Sequence, residues 1–171
     1  MISIFIPIRK GSKRIKNKNI KSLPKFRFGL TELKLKQLEK LKKILKKEIS
    51  QPVEFIVSTD SEKIIKYLKR YKWIDVKKRS KSLATDNSLD KLIKHVPEVC
   101  KGKFILWTHV TSPLFQHSDY IEFIKIFLKK HKTNKIKSAF SANKIQKFLF
   151  RKRDKQWLSH NRTKKKWPRT Q

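Results

Sequence analysis

Apolar residues along this chain occur in short runs, and the runs alternate with longer stretches of helical periodicity. The runs predict strands at 2–7, 53–58, 73–78, 103–110 and 138–142. The periodic stretches predict helices at 30–49, 61–71, 88–96 and 118–131. Strands that alternate with helices form parallel β-α-β units, so the pattern predicts an α/β fold with a doubly wound, mostly parallel sheet.

Local signals set the expected faces and ends of the helices. Four apolar residues line one face of the longest predicted helix, namely Leu38, Leu41, Leu45 and Ile49. The signals at helix ends are an N-cap at Asp60 or Ser61, an N-cap at Ser118, and a stop or kink at Pro97.

The C-terminal part of the chain has a different character. The segments 147–152 and 156–160 flank a polar turn at 153–155 and predict a β-hairpin. We therefore expect an α/β domain over 1–143, with a basic hairpin arm over 144–171 that continues the same domain.

Charge is the most extreme feature of the composition. The chain has 46 Lys and Arg against 13 Asp and Glu, a net charge of +33. Such a field attracts polyanions, so nucleic-acid binding is one interpretation, with Trp73, Trp107, Trp157 and Trp167 available to stack on bases. The lysines are spread over nearly every segment, however. This favours a solvated basic surface, set partly by codon bias, over a dedicated nucleic-acid stripe.

Three further features of the sequence indicate where in the cell the protein is expected. No stretch approaches the roughly 18–20 apolar residues that a membrane span needs. The N-terminus lacks a charged segment before an apolar run, unlike a signal peptide. The single cysteine, Cys100, cannot form an internal disulfide, so we expect a reducing, cytoplasmic location and no membrane partner.

A basic loop at 8–22 follows the first predicted strand. Ligands of open α/β sheets bind beyond the carboxyl ends of the strands, where this loop lies. Its glycine exposes backbone N–H groups and its cations suit a triphosphate, while an exposed basic turn is the alternative. It is neither a Walker A motif nor a dinucleotide fingerprint. The residues concerned are Arg9, Gly11, Lys13, Arg14 and Lys18, with Asn19 able to brace the loop.

The basic loop belongs to the first of four motifs that match one family in order and at suitable distances along the chain. They are IPIRKGSKRIKNKN at 6–19, STDS at 58–61, RSKSLATDNS at 79–88 and TSPL at 111–114. Together they resemble the acylneuraminate cytidylyltransferase family over essentially the whole chain. The resemblance implies a Rossmann-like fold of the nucleotide-diphospho-sugar transferase type. It also implies an enzyme that joins CTP to an acidic sugar (sialic acid or a related nonulosonic acid) with Mg²⁺, releases pyrophosphate, and serves surface polysaccharide or glycan synthesis. Family members commonly form homodimers through an arm near 140–170.

The resemblance also implies roles for individual residues. Arg9 and Lys13 match the catalytic cations that stabilise the triphosphate. Apart from the resemblance, His109 at the end of a predicted strand is the nearest candidate for a general base, although a structural or hydrogen-bonding role is favoured. The implied nucleotide-binding residues are Arg9, Gly11, Ser12, Lys13, Arg14, Lys18, Asn19, Arg79, Thr85 and Asp86. The implied sugar-binding residues are His109, Thr111, Ser112 and Lys147.

Simpler roles remain for some of these positions. Asp60 and Ser61 could serve only as a helix cap, Asp86 and Ser88 could cap the next helix, and Lys147 could be a surface lysine. The metal ligands stay unassigned, with Asp60, Asp86 and Asp90 the first candidates.

Two regions depart from the family pattern. His109-Val110 stands where the family has Gln-Pro, and Phe115 where an arginine commonly follows TSPL, both near the sugar pocket. The sequence given also stops before the family's acidic segment with its metal-binding aspartates. A relative that binds CTP without turnover is therefore an alternative to the enzyme.

Overall fold

The structure is a computed structural model that describes residues 1–12, 15–85, 89–142 and 150–157. It divides into two compact units, Met1–Lys129 and Lys130–Gln171. Within the described ranges, no helix is long and apolar enough to cross a membrane. Lys13, Arg14, Asp86, Ser88 and Lys147 lie outside these ranges.

The first unit is built on a four-stranded parallel sheet. Its strands are β1 (Ile2–Ile8), β2 (Val53–Thr59), β3 (Asp75–Lys78) and β4 (Phe104–Trp107), in the order β3-β2-β1-β4. The sequence prediction of an α/β, Rossmann-like parallel sheet is confirmed. The chain moves outward from β1 to β3 and then returns to the far side of β1. The strand order therefore reverses between β1 and β4, which is where open sheets of this type bind ligands.

Helices cover both faces of the sheet. They are α1 (Gly29–Glu48), α2 (Glu62–Leu68), α3 (Leu89–Val99) and α4 (His117–Lys132), and a 3₁₀ turn spans Lys81–Ala84. Alternate residues of β1 point to opposite faces, as the two-residue period of a strand requires. The even-numbered isoleucines of β1 pack with α1, α2 and α4, whereas Phe5 packs with Leu92 and Val96 of α3. Leu38, Leu41 and Leu45 of α1 are buried as predicted.

The C-terminal hairpin is confirmed, although its strands are short. Strands β5 (Phe150–Arg151) and β6 (Gln156–Trp157) pair antiparallel. Arg151 Nε donates to Asp154 Oδ1 at 2.8 Å and stabilises the turn.

Three sequence predictions are wrong in detail. The segment 138–142 is not a strand, and its Phe140 is 86% exposed. A short apolar run becomes a strand only where a neighbour satisfies its backbone groups, and among the described residues none does so here. Pro97 does not end α3, which continues to Val99, so the stop considered there is wrong and the kink stays a prediction. Ser118 does not cap α4, since the helix begins at His117 and the Asp119 carboxylate accepts the Gln116 N–H at 2.7 Å.

Candidate active site at the strand ends

The basic loop after β1 is tied at both of its ends. Asn19 Nδ2 donates to the Arg9 carbonyl at 3.2 Å, which joins the far side of the loop to the end of β1. The Asn19 carbonyl accepts the Thr31 N–H at 2.9 Å and the Thr31 hydroxyl at 2.7 Å, which joins the loop to the first turn of α1. Asn19 thus has the bracing contacts expected from the sequence. Its buried Oδ1 has no partner in the described part of the chain.

Asp60 connects the ends of three strands. It follows β2, and its Oδ1 accepts the Lys10 N–H at 2.7 Å in the loop after β1. The same oxygen lies 3.9 Å from Arg79 Nη2, beyond the end of β3. Ser61, and not Asp60, caps α2, because the Ser61 hydroxyl accepts the Ile64 N–H at 3.4 Å. The capping role considered for Asp60 is therefore wrong.

Arg79 is the buried cation of this group. Its side chain is 2% exposed, and its backbone N–H donates to the Thr59 carbonyl at 2.8 Å. Burial lowers the pKa of the guanidinium, and Asp60 opposes the shift. Its Nε is buried with no hydrogen-bond partner among the residues that the structure describes. A buried donor of this kind is costly unless a ligand accepts from it.

Arg9 joins the first and third motifs. Its Nη1 donates to the Ala84 carbonyl at 3.5 Å, at the end of the 3₁₀ turn and beside the exposed Thr85. Gly11 has a φ of +75°, and no described residue lies within 4 Å of where a Cβ would stand. Ser12 and Lys18 are half-buried. The motifs at 6–19, 58–61 and 79–88 thus meet at one edge of the sheet, in their described parts.

The loop after β4 lies on the other side of β1. Thr111 and Ser112 are exposed, and the Ser112 N–H donates to the His109 carbonyl at 3.2 Å. His109 keeps an exposed face, and its ring centroid is 6.1 Å from that of Trp107. Desolvation by the surrounding protein lowers the pKa of its imidazole, so the neutral form dominates at neutral pH.

Two residues of α1 that the sequence analysis missed hold this loop from beneath. Lys34 Nζ donates to the carbonyls of Ser112 at 2.8 Å and Phe115 at 3.2 Å, and Gln37 Nε2 donates to the Pro113 carbonyl at 2.7 Å. Burial lowers the pKa of Lys34 to about 8. A signal was present, because Lys34 stands four residues before Leu38, on the apolar stripe of the helix.

The described residues do not by themselves form a magnesium site. They contain no group of three or more His, Cys, Asp or Glu placed to hold a metal ion. Asp60 offers a carboxylate at the site, but its Oδ1 is already bonded to the Lys10 N–H. Asp90 lies in the first turn of α3 and is exposed.

The tryptophans considered for base stacking contribute to packing. Trp73 contacts Phe55 edge-on at 5.0 Å, and Trp107 contacts Phe5 edge-on at 5.1 Å between ring centroids. Both are half-buried. The Trp157 side chain and Trp167 lie outside the described part of the chain.

Comparison with known proteins agrees with this arrangement. No curated protein matches the chain. A family model described as cytidylyltransferase matches residues 3–167, which includes both loops of the site. Because this match spans nearly the whole sequence, the chain belongs to the cytidylyltransferase family, a family of nucleotidyltransferases that use CTP.

Proposed function

We propose that this protein transfers the cytidylyl group of CTP to an acidic sugar of the sialic acid or nonulosonic acid type. The observation that supports it best is the junction of Arg79, Asp60 and the Lys10 backbone at the ends of β1, β2 and β3. This junction offers a buried cation beside the basic loop, and the Nε of that cation has no partner among the described residues. The loop after β4, on the other side of β1, provides the hydroxyls for an acceptor.

In the proposed reaction, a hydroxyl of the sugar attacks the α-phosphorus of CTP in line. The new bond joins the sugar oxygen to the α-phosphorus, the bond from the α-phosphorus to the bridging oxygen breaks, and pyrophosphate leaves. Negative charge grows on the phosphoryl and leaving oxygens, so positioned cations supply most of the catalysis. We assign this role to Arg9 and Lys13, with Gly11, Ser12, Arg14, Lys18, Asn19, Arg79, Thr85 and Asp86 as further nucleotide ligands.

The acceptor half of the proposal rests on the loop after β4. Thr111 and Ser112 present exposed hydroxyls, and Lys147 supplies a cation for the sugar carboxylate. Neutral His109 accepts the proton of the attacking hydroxyl, since its lowered pKa keeps a ring nitrogen unprotonated. A Mg²⁺ ion held by the triphosphate would neutralise phosphate charge, and its protein ligands stay unassigned. The arm near 140–170 joins two copies in the proposed homodimer, which we place in the cytoplasm.

The first test is nucleotide preference. We expect CTP to raise the melting temperature more than ATP or GTP at equal concentration, because at a given concentration the ligand that binds more tightly stabilises the folded protein more. Pyrophosphate release from CTP with sialic acid then tests turnover. If all three nucleotides raised the melting temperature equally, and the protein bound RNA tightly and in a salt-sensitive way, a nucleic-acid-binding protein would be the better interpretation. A CTP-specific shift without turnover with any acidic sugar would indicate a CTP-binding relative.

The second test concerns the basic loop. Arg9→Ala and Lys13→Ala should each weaken CTP binding by about 2 kcal/mol, the usual loss for a charge-assisted contact to phosphate. Titration calorimetry measures the change. Lys43→Ala is the matched control, because Lys43 is exposed on α1. If all three variants lost the same affinity, the loop would be only part of a general basic surface.

A further inference from the structure

The segment 111–116, which we term the acceptor loop, is held by its carbonyl groups. Lys34 binds the carbonyls of Ser112 and Phe115, and Gln37 binds that of Pro113. Lys34 and Gln37 are three residues apart on α1 and therefore share one face of the helix. Both are buried, so these contacts are shielded from water.

Lys34 also links the acceptor loop to its flanking elements. Its Nζ donates to Tyr120 Oη of α4 at 3.0 Å. That hydroxyl is hydrogen-bonded in turn to the hydroxyl of Thr108, the residue after β4. The Thr108 N–H donates to the Phe5 carbonyl of β1 at 2.9 Å. One side chain thus connects both ends of the acceptor loop to the switch point between β1 and β4.

A lysine suits position 34 because three oxygen atoms surround its amine. A protonated amine has three donors, and Lys34 Nζ has three oxygen acceptors at 2.8–3.2 Å. A buried ammonium is tolerated where all of its donors are satisfied, and the nearby Asp119 favours the charged form. An apolar residue would instead leave two carbonyls of the loop without these donors.

The opposite side of the acceptor loop stays open. Thr111 and Ser112 are exposed, while the Ser112 carbonyl is bound to α1. The contacts that fix the backbone therefore leave the hydroxyls accessible. Binding groups act best when the backbone that carries them is fixed before the ligand arrives.

We infer that Lys34 and Gln37 are positioning residues that hold the acceptor loop in the conformation that binds the acidic sugar. This inference rests on the proposed function and extends it to two residues that lie beneath the site. They act through the backbone of the acceptor loop. Their loss should affect the acceptor sugar much more than CTP, which the other side of β1 binds.

The test compares Lys34→Met and Gln37→Met with Lys43→Met in the full chain. Hydrogen–deuterium exchange of the peptide covering 108–116 should become at least about tenfold faster in the first two variants, because amides exchange when local contacts open. The KM for sialic acid in pyrophosphate release should rise about tenfold. The CTP dissociation constant from calorimetry should change less than twofold. The exposed Lys43 should give no change.

Several outcomes would overturn the inference. Unchanged exchange and unchanged sugar KM in folded variants would show that the contacts do not position the loop. An equal loss of CTP and sugar affinity would indicate a general role in the core. Gln37→Met decides the question if Lys34→Met does not fold, since it removes no buried charge. A wild-type chain with no turnover would contradict the proposed function. The hydrogen–deuterium exchange measurement would still decide whether Lys34 and Gln37 hold the acceptor loop in place.

Discussion

Replacement of Arg79 by methionine should weaken CTP binding by about 3 kcal/mol, or more than a hundredfold. The side chain is 2% exposed, and its buried Nε has no partner in the described part of the chain. Loss of a desolvated, charge-assisted contact costs more than loss of one at the surface, which is why the expected effect exceeds that of Arg9→Ala. Methionine keeps much of the aliphatic part of the side chain but removes every donor.

The matched control for this variant is Arg70→Met. Arg70 is exposed near the end of α2, where its guanidinium carbon lies 4.4 Å from the centroid of the Tyr67 ring. It carries the same charge but lies outside the junction. Calorimetry at one salt concentration measures both variants. An Arg79→Met protein that bound CTP as well as Arg70→Met would remove Arg79 from the nucleotide site.

Gly29→Ala should lower the free energy of unfolding by about 3 kcal/mol. Gly29 has a φ of +59°, which costs an alanine roughly 1–2 kcal/mol. A Cβ there would also stand 2.2 Å from the Lys21 carbonyl oxygen, so the backbone of the basic loop would have to move. Overpacking of this kind adds about 1–3 kcal/mol. Because the displaced segment adjoins Asn19, CTP binding should weaken as well.

Urea denaturation measures this effect, with Gly11→Ala as the control. Gly11 also has a positive φ, of +75°, but no residue that the structure describes lies within 4 Å of its added Cβ. Gly11→Ala should therefore lower the free energy of unfolding only by the backbone contribution, roughly 1–2 kcal/mol. Equal losses in the two variants would show that the close approach of Lys21 to Gly29 has no energetic importance.

The sequence by itself determined the fold class and most of the elements. Apolar runs of β1 and β2 and the leucine stripe of α1 are long and regular, and such patterns depend on local periodicity alone. A cap at Asp60 or Ser61 and the C-terminal hairpin were predictable for the same reason, because their signals lie within a few residues, and the structure chose Ser61. The cytidylyltransferase family also followed from the chain, through motifs that the family model covers.

The tertiary structure alone decided the functions of residues whose partners are distant in the sequence. Asp60 looked like a helix cap, yet it bonds to Lys10, fifty residues away. Lys34 was not singled out from the sequence, because its partners lie 78 to 86 residues further along the chain. The strand order, and with it the switch point between β1 and β4, likewise depends on which strands pair. Periodicity indicates which side of an element is buried, but only the folded chain determines what lies against it.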